Sequence, residues 1–391
     1  MSSPQLSSYD VAVVQDAAVF LDRDASVQKT ITLAREAAAK GAKLVLFPEA
    51  FIPGYPRGLS FGAIVGSRSA DGRKLFRRYA ENAITIPGPE SDLLAATAAE
   101  LGIHLAVGAI ERDERNAGTL YCSLLLYGPD GSLLNNHRKL KPTASERLIW
   151  GEGDGTGLQV LPTDLGHIGG LICWENYMPL ARTALYTLGV EIYLAPTADS
   201  RESWQSTIRH IAMEGRCFVL ACNQFVTKAD YPTDLDKASQ RELAEAPDPL
   251  SRGGSAIIGP LGDYLAGPLW DEAGILYATI DPGEIVEARF DFDAVGHYSR
   301  PDLFRLSAPL GAGLGAMSPL EEMGILGDML FGPGGAPGLL PPFDLDDDDD
   351  DLLLFGPGGD PFLPAFPAIF SEKKPTTKLP AKPTKSRRRG R

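Results

Sequence analysis

Short apolar runs recur between about residues 9 and 281, and longer, more polar segments separate them. Several runs are continuously apolar, which is typical of strands that are buried on both faces of a sheet. The predicted strands are YDVAVVQ, AKLVLFPEA, IHLAVGAI, LYCSLLLYG, GGLICW, VEIYLAP, RCFVLACNQ, GSAIIGP and ILYATID.

Some of the segments between these strands predict helices, at 24–41, 88–102 and 200–215. Asp24 and Ser91 are the candidate N-caps of the first two helices, and a glycine stands at the end of each segment. The alternation of strands with helices favours an α/β layer architecture.

The composition changes after about residue 306. The segment FGPGG occurs twice, aspartates occupy 346–351, and the segment KKPTTKLPAKPTKSRRRGR is strongly basic. Glycine, proline and blocks of like charge cannot bury enough apolar surface to offset the entropy of ordering. We therefore predict one folded domain at residues 8–306 and a largely disordered tail at 307–391.

Composition and charge limit the classes of partner. The 391 residues are 44% hydrophobic and 23% charged, which is ordinary for a globular protein. The net charge of −14 argues against a general nucleic-acid binder, because that task needs a basic surface. No apolar run approaches the length of a membrane span, and the start MSSPQLSSYD lacks the features of a signal peptide. We expect a cytoplasmic protein without nucleic-acid or membrane partners.

The cysteines and histidines do not form a metal-binding or disulfide framework. None of the four cysteines lies in a C-x-x-C pair, and the five histidines show no metal-ligand spacing. In a reducing compartment we expect free thiols, with no metal.

Cys173 stands where the apolar, strand-like run GGLIC gives way to the helix-like segment WENYMPLARTALYTLG. This stretch alone leaves two interpretations open. A buried cysteine is usually a small hydrophobic side chain. A cysteine at a helix start can instead be a thiolate nucleophile, because the amide N–H groups there lower its pKa.

Two charged residues follow other predicted strands. Glu49, in LVLFPEAFIPGYP, is either a cap or salt bridge at a strand end or a residue with a chemical task, since charges are rarely placed there without a partner. Lys139 lies in the basic cluster NNHRKLKPT, which by itself is typical of solvated surface.

Together, Glu49, Lys139 and Cys173 form a candidate site. A thiolate nucleophile needs a base to take its proton, and a cation or amides to hold the negative charge that develops on the substrate. Each of the three residues lies at or near the end of a predicted strand, where open α/β sheets place their sites.

Five blocks of the chain, in order, closely resemble the nitrilase superfamily and, within it, the nitrilase branch. They are FPEAFIPGYP, HRKLKPTASERLIWGEGDG, GGLICWENYMPLARTALYTLGVEIYLAPTADSRESW, RHIAMEGRCFVLACNQ and GHYSRPDLF. The resemblance covers roughly residues 8 to 306 and implies a four-layer αββα sandwich. CWEN and ERLIWGEGDG are similar to nitrilases and cyanide-degrading relatives, and less so to the amidases and carbamoylases.

The resemblance implies a Cys-Glu-Lys triad that works without a metal or an organic cofactor. Cys173 attacks the nitrile carbon and forms a thioimidate, and Glu49 acts as general base. Lys139 stabilises the charged nitrogen or the tetrahedral intermediate. Glu146 matches a second glutamate that orients the lysine.

The expected substrates are a small organic nitrile and water. Similarity of RGLSFGAIVGSRSADGR to bacterial nitrilases favours an aromatic or arylaliphatic nitrile. Trp174 is expected to line the pocket and to offer its backbone N–H as a second donor. Tyr55 is expected either to line the pocket or to pack in its turn. The resemblance further implies a homodimer that assembles into larger homo-oligomers, in family members often spiral filaments.

Three alternatives to a nitrilase remain at this point. A cyanide dihydratase or cyanide hydratase would use the same three catalytic motifs, and an amidase is a more distant candidate. A catalytically dead, filament-forming scaffold is the non-enzymatic alternative. The intact set of one cysteine, one lysine and two carboxylates argues against a scaffold, because a scaffold has no need of them.

Overall fold

A computed structural model describes residues 7–308 of the chain. The strands are β1 (Tyr9–Gln15), β2 (Ala42–Leu46), β3 (Ala63–Ile64), β4 (Ser67–Arg68), β5 (His104–Arg112), β6 (Leu120–Tyr127), β7 (Leu133–Arg138), β8 (Val160–Thr163), β9 (Gly166–Gly170), β10 (Ile192–Pro196), β11 (Phe218–Cys222), β12 (Phe225–Val226), β13 (Ser251–Ile258), β14 (Tyr264–Trp270) and β15 (Gly274–Ile280). The helices are α1 (Arg23–Ala39), α2 (Ala70–Glu81), α3 (Pro89–Leu101), α4 (Pro179–Thr187), α5 (Glu202–Gly215), α6 (Lys237–Glu245) and α7 (Gly283–Arg289). The predicted tail lies outside the described residues from position 309 onward, and the domain boundary at 306 stays a prediction.

Two mixed sheets form the centre of the fold. The first has the order β15-β1-β2-β5-β6-β7. Strands β1, β2 and β5 are parallel, and β7 runs in their direction because it is antiparallel to β6, which is antiparallel to β5. The second sheet has the order β12-β13-β11-β10-β9-β8, with β14 paired to β13. Its strands β9, β10 and β11 are parallel.

The alternation of side chains along β1 shows how the layers pack. Val11 and Val13 pack in the same buried cluster as Leu220 of the second sheet. Ala12 and Val14 belong instead to a cluster shared with α1 and α3. Successive side chains of a strand point to opposite faces, so the second sheet covers one face of the first sheet and the two helices cover the other.

A third buried cluster lies on the outer face of the second sheet, where Tyr193 and Val219 pack with Leu185 of α4 and Ile208 of α5. The order of layers is therefore α1 and α3, first sheet, second sheet, α4 and α5. This arrangement confirms the αββα sandwich that the resemblance predicted.

The predicted cap of α1 is wrong by two residues. Asp22 is the N-cap, and its side chain accepts a hydrogen bond from the backbone N–H of Ala25 at 2.9 Å. Asp24 lies in the first turn instead. A carboxylate in the first turn interacts favourably with the positive end of the helix dipole, which explains why Asp24 resembles a cap in the sequence.

The predicted cap of α3 is also wrong. The helix begins at Pro89, which suits a first helical position because its missing N–H needs no partner there. The hydroxyl of Ser91 lies 2.9 Å from that of Tyr127, which turns the serine toward the first sheet. Gly102 ends α3 as predicted, in the left-handed conformation at φ +60°.

No helix within residues 7–308 combines the length and the apolar character needed to cross a membrane.

Candidate active site

The residues that follow β2, β7 and β9 meet between the two sheets. Glu49 follows β2 and Lys139 follows β7 directly. Because β2 and β7 run in the same direction, their carboxyl ends lie at the same edge of the first sheet. Cys173 follows β9 in the second sheet and lines a cavity of about 200 Å³ together with Glu146.

Lys139 is the centre of a buried charge network. Its Nζ donates to Glu49 Oε1 at 2.7 Å and to Glu146 Oε2 at 2.8 Å. The side chains of Lys139 and Glu49 are completely buried. Burial by itself would lower the pKa of Lys139, but Glu49, Cys173 and Glu146 raise this pKa well above its ordinary value. The site therefore holds an ammonium ion at a place from which water is excluded.

Glu49 offers one free carboxylate oxygen. Its Oε1 accepts hydrogen bonds from Lys139 and, at 3.7 Å, from the thiol of Cys122. Its Oε2 is buried and has no hydrogen-bond partner among residues 7–308. Burial raises the pKa of Glu49, whereas Lys139 lowers it. A fixed carboxylate with a raised pKa and one free oxygen is suited to accept and return a proton.

Cys173 lies beyond the end of its strand. The predicted strand GGLICW is too long, because β9 ends at Gly170. Cys173 begins a short 3₁₀ helix, Cys173–Tyr177, and has φ +53°, a conformation that is strained for any residue but glycine. The side-chain amide of Asn176 donates to the carbonyl oxygens of Cys173 at 2.8 Å and Leu171 at 2.9 Å, which holds this turn in place.

The surroundings of Cys173 favour its protonated thiol over the thiolate. Burial and the charge of Glu49 raise its pKa to about 12, although Lys139 and the hydroxyl of Thr197 act in the opposite direction. This upward shift is opposite in direction to the lowered pKa that amides at a helix start would give. Burial and a neighbouring carboxylate outweigh the one short turn, so nucleophilic attack requires a base.

Glu146 is fixed by three donors. Its Oε2 accepts hydrogen bonds from Lys139 and from the backbone N–H of Thr143, the latter at 2.6 Å. Its Oε1 accepts a hydrogen bond from the hydroxyl of Tyr55 at 2.6 Å. The Tyr55 ring lines the cavity and packs edge-on against Trp150, with 5.6 Å between ring centroids. Tyr55 thus contacts the cavity and also holds a charged residue, a contact that its sequence position did not predict.

Trp174 forms one wall of the cavity, and the residue is 40% exposed. The indole Nε1–H donates to Asp199 Oδ2 at 2.9 Å. The guanidinium of Arg201 lies 4.9 Å from the ring centroid and also pairs with Asp199. Sequence reasoning missed Asp199 and Arg201, and the only signal for them was the polar segment TADSRES after a predicted strand.

Glu175 joins the two loops that carry the candidate lysine and the candidate cysteine. Its buried carboxylate accepts the backbone N–H groups of Leu140 and Ile172, each at 2.6 Å. His137 Nε2 lies 3.1 Å from the same carboxylate and donates to it, because a carboxylate only accepts. Sequence reasoning gave Glu175 no role, although a charged residue within an apolar segment was a signal for a buried partner.

Among the residues that the structure describes, no group of three or more His, Cys, Asp or Glu side chains could hold a metal ion. The four cysteines are free. That the reaction needs neither metal nor organic cofactor stays a prediction of the resemblance.

Comparisons with known proteins show which family the chain belongs to. The carbon-nitrogen hydrolase family matches residues 10–290. The chain is 50% identical over 302 residues to an aliphatic nitrilase of Sinorhizobium fredii, covering 77% of this chain and 96% of that protein. It is 52% identical over 296 residues to the bifunctional nitrilase/nitrile hydratase NIT4A of Lupinus angustifolius, covering 75% of this chain and 84% of that protein.

Solved structures share the fold at lower sequence identity. A carbon-nitrogen hydrolase of Helicobacter pylori has a TM-score of 0.58 at 22% identity, covering 76% of this chain and 97% of that one. Nit3 of Saccharomyces cerevisiae has a TM-score of 0.58 at 21% identity, covering 77% of this chain and 100% of that one. With a family match over most of the chain and relatives at about half identity, the protein is an enzyme of the carbon-nitrogen hydrolase family and belongs to its nitrilase branch.

Proposed function

We propose that this enzyme hydrolyses an organic nitrile to the carboxylic acid and ammonia, with Cys173 as nucleophile, Glu49 as general base and Lys139 as stabilising cation. The observation that carries the proposal is the fully buried Lys139–Glu49 ion pair beside a thiol that opens onto a cavity. Relatives named as nitrilases support the nitrile as substrate class.

In the first step the thiol proton of Cys173 moves to Glu49, and an electron pair of the sulfur forms the bond to the nitrile carbon. One π pair of the C≡N bond moves onto nitrogen, which takes up the proton from Glu49 and gives a thioimidate. The ammonium of Lys139 stabilises the negative charge that develops on this nitrogen, where water cannot screen it.

Two water molecules complete the reaction. Glu49 takes a proton from the first water, whose oxygen bonds to the thioimidate carbon and forms a tetrahedral intermediate. Glu49 returns this proton to the nitrogen. The hydroxyl of the intermediate then gives its own proton, by way of Glu49, to the nitrogen as the C=O bond forms and the C–N bond breaks, so that ammonia leaves and a thioester remains. The second water attacks the thioester, again with Glu49 as base, and the sulfur leaves as the thiol of Cys173. One nitrile and two waters thus give one carboxylic acid and one ammonia.

The remaining residues of the site act on these groups. Glu146 orients Lys139, to which it is hydrogen-bonded, and Tyr55 holds Glu146. The backbone N–H of Trp174 is a second hydrogen-bond donor to the charged intermediate. The indole side chain of Trp174 contacts the organic part of the substrate.

We propose an aromatic or arylaliphatic nitrile as substrate. The half-exposed indole of Trp174 offers a flat apolar wall next to Cys173, which suits an aromatic ring. One relative is named an aliphatic nitrilase, so the aliphatic dinitrile is the decisive competitor in the test, and a higher kcat/KM with it would contradict the aromatic preference.

The test measures ammonia released from benzonitrile, phenylacetonitrile, an aliphatic dinitrile, cyanide and the matching amides. We expect the highest kcat/KM with the two aromatic nitriles. Ammonia from cyanide alone would make the protein a cyanide dihydratase, and ammonia only from amides would make it an amidase. Formation of formamide from cyanide without ammonia would make the protein a cyanide hydratase. With neither ammonia nor an amide product from any compound, the scaffold alternative would replace the enzyme.

The roles of the residues are tested by substitution. Cys173→Ala abolishes turnover and leaves the fold intact, whereas the control Cys217→Ala, at a buried cysteine packed against α5, keeps its activity. Glu49→Gln and Lys139→Ala each lower kcat by several orders of magnitude, because they act as one unit with the nucleophile. Appreciable turnover by pure Cys173→Ala protein would disprove the nucleophile assignment.

We further propose a cytoplasmic homodimer that extends into larger homo-oligomers, as the family resemblance implies. Sedimentation of the purified chain over a range of concentrations tests this assembly, and a monomer at every concentration would contradict it.

A further inference from the structure

Thr197 lies in direct contact with the candidate nucleophile. It follows β10 in the second sheet, and its backbone N–H donates to the carbonyl of Cys222 at 2.8 Å, which continues the pairing with β11. Its side chain is buried, and its Oγ1 lies 3.2 Å from Cys173 Sγ. The end of a rigid strand therefore holds this hydroxyl against the sulfur.

The hydrogen bonds around Thr197 determine where its hydroxyl proton points. The backbone N–H of Asp199 donates to Thr197 Oγ1 at 2.9 Å. An N–H group only donates, so this bond uses a lone pair of the hydroxyl oxygen and leaves its proton for another acceptor. The sulfur of Cys173 is the acceptor within reach.

We propose that Thr197 is a further catalytic residue, whose hydroxyl donates to Cys173 Sγ, directs the thiol proton toward Glu49 and then stabilises the thiolate. The inference rests on the proposed role of Cys173 as nucleophile. When the sulfur accepts the threonine proton, its own S–H must point to a different acceptor. Glu49 Oε2 is buried near Cys173 and is free of other partners within the described part of the chain.

The hydrogen bond from Thr197 to Cys173 becomes stronger during attack, because negative charge develops on the sulfur. As the proton moves from Sγ to Glu49 Oε2, the sulfur becomes negative and the hydrogen bond from Thr197 becomes a charge-assisted one, which is roughly twice as strong as a neutral one. Burial and Glu49 raise the pKa of Cys173, and the hydrogen bond from Thr197 lowers it. Loss of the hydroxyl therefore makes the thiolate harder to form.

The orientation of Thr197 also depends on the wall of the cavity. Asp199, whose N–H holds the hydroxyl, binds the indole of Trp174 and the guanidinium of Arg201 through its carboxylate. The residues that shape the substrate pocket thus also determine the direction of the threonine proton.

The test compares Thr197→Val, Thr197→Ala and Thr197→Ser with the wild-type enzyme. Valine keeps the shape and removes the hydroxyl, alanine avoids a misplaced methyl group, and serine keeps the hydroxyl. The matched control is Thr30→Val, since Thr30 is equally buried but its hydroxyl donates to the carbonyl of Ser26 within α1. Thermal unfolding confirms that each variant is folded.

The readout is the rate at which iodoacetamide alkylates Cys173, followed by peptide mass mapping across neutral and alkaline pH. Alkylation requires the thiolate of Cys173 but no catalytic turnover. Its rate can therefore be measured without knowing the substrate. We expect Thr197→Val and Thr197→Ala to react about 10- to 100-fold more slowly, the range for a hydrogen bond to a charged atom. Their pH profiles shift to higher pH, and kcat falls with little change in KM.

Thr197→Ser and Thr30→Val react at close to the wild-type rate. Wild-type alkylation rates and pH profiles in folded Thr197→Val and Thr197→Ala proteins would overturn the proposal. The same holds if Thr197→Ser is as slow as they are, because the hydroxyl would then not be the cause. Turnover by Cys173→Ala protein would instead refute the proposed function itself, so the two failures are distinguishable.

Discussion

Replacing Glu175 with glutamine tests whether one buried carboxylate holds together the loops that carry Lys139 and Cys173. The carboxylate accepts the backbone N–H of Leu140 on one oxygen and that of Ile172 on the other, each at 2.6 Å. Glutamine has nearly the same shape but only one oxygen. Its NH₂ group must therefore face one of these two N–H groups, donor against donor.

The cost follows from these contacts. A buried donor without an acceptor costs about 1–3 kcal/mol, and turning the other hydrogen bond from a charged into a neutral one loses about 1 kcal/mol. We therefore expect Glu175→Gln to lower the free energy of unfolding by about 2–4 kcal/mol. Since Lys139 is adjacent in sequence to Leu140 and Cys173 to Ile172, we also expect kcat to fall about 100-fold, as for a displacement of about 1 Å of the proposed catalytic groups.

Urea unfolding followed by circular dichroism gives the stability, and ammonia release at saturating and limiting nitrile gives kcat and KM. The matched control is Glu191→Gln, because Glu191 accepts the backbone N–H of His167 at 2.8 Å and approaches its ring nitrogen at 3.1 Å, away from the cavity. The control should keep kcat and lose less stability, because both contacts of Glu191 are made by Oε2, which the amide oxygen of glutamine can replace. A folded Glu175→Gln enzyme with wild-type kcat would refute the reasoning, as would an equal loss of kcat in the control.

Three further predictions concern the site, the buried thiols and the tail. Tyr55→Phe removes the hydroxyl that donates to Glu146 and should lower kcat about 10-fold with little change in KM; a change in KM alone would make Tyr55 a substrate contact only. Burial raises the pKa of Cys173 and Cys217 from 9.0 to about 12, so the folded state favours their protonated forms. The stability they contribute is complete below pH 9.0 and is lost as the pH rises toward about 12; urea unfolding with a flat profile across this range would contradict this assignment. Truncation after residue 310 should leave a folded enzyme with wild-type kcat, and an unfolded product on circular dichroism would show that the predicted domain boundary is wrong.

The chemistry-bearing residues were visible in the sequence because their surroundings are local. Glu49 is a charge directly after an apolar strand, and Cys173 stands at a change of pattern. The strand YDVAVVQ coincides with β1 because continuous apolar runs bounded by polar segments are a local signal. The family resemblance then supplied what periodicity alone could not, namely two sheets face to face.

Helix starts were less predictable than strands. Asp22 and Asp24 are both acidic residues near the start of α1, and only the backbone geometry shows which one caps it. Ser91 has the right chemistry for a cap but bonds to Tyr127, a residue distant in sequence. A cap is chosen by competition among partners, some of which the fold brings from elsewhere.

The sequence by itself therefore determined nine of the strands within residues 7–308, the helices α1, α3 and α5, and the residue types that the proposed reaction uses. Only the tertiary structure decided which of these groups touch, and in which protonation state. Lys139 is hydrogen-bonded to Glu49, 90 residues away in the sequence, and Thr197 is hydrogen-bonded to Cys173, 24 residues away. The physical reason is that hydrogen bonding and desolvation depend on distances of a few ångströms, and the pairing of strands and the packing of two sheets set these distances for residues that are far apart along the chain.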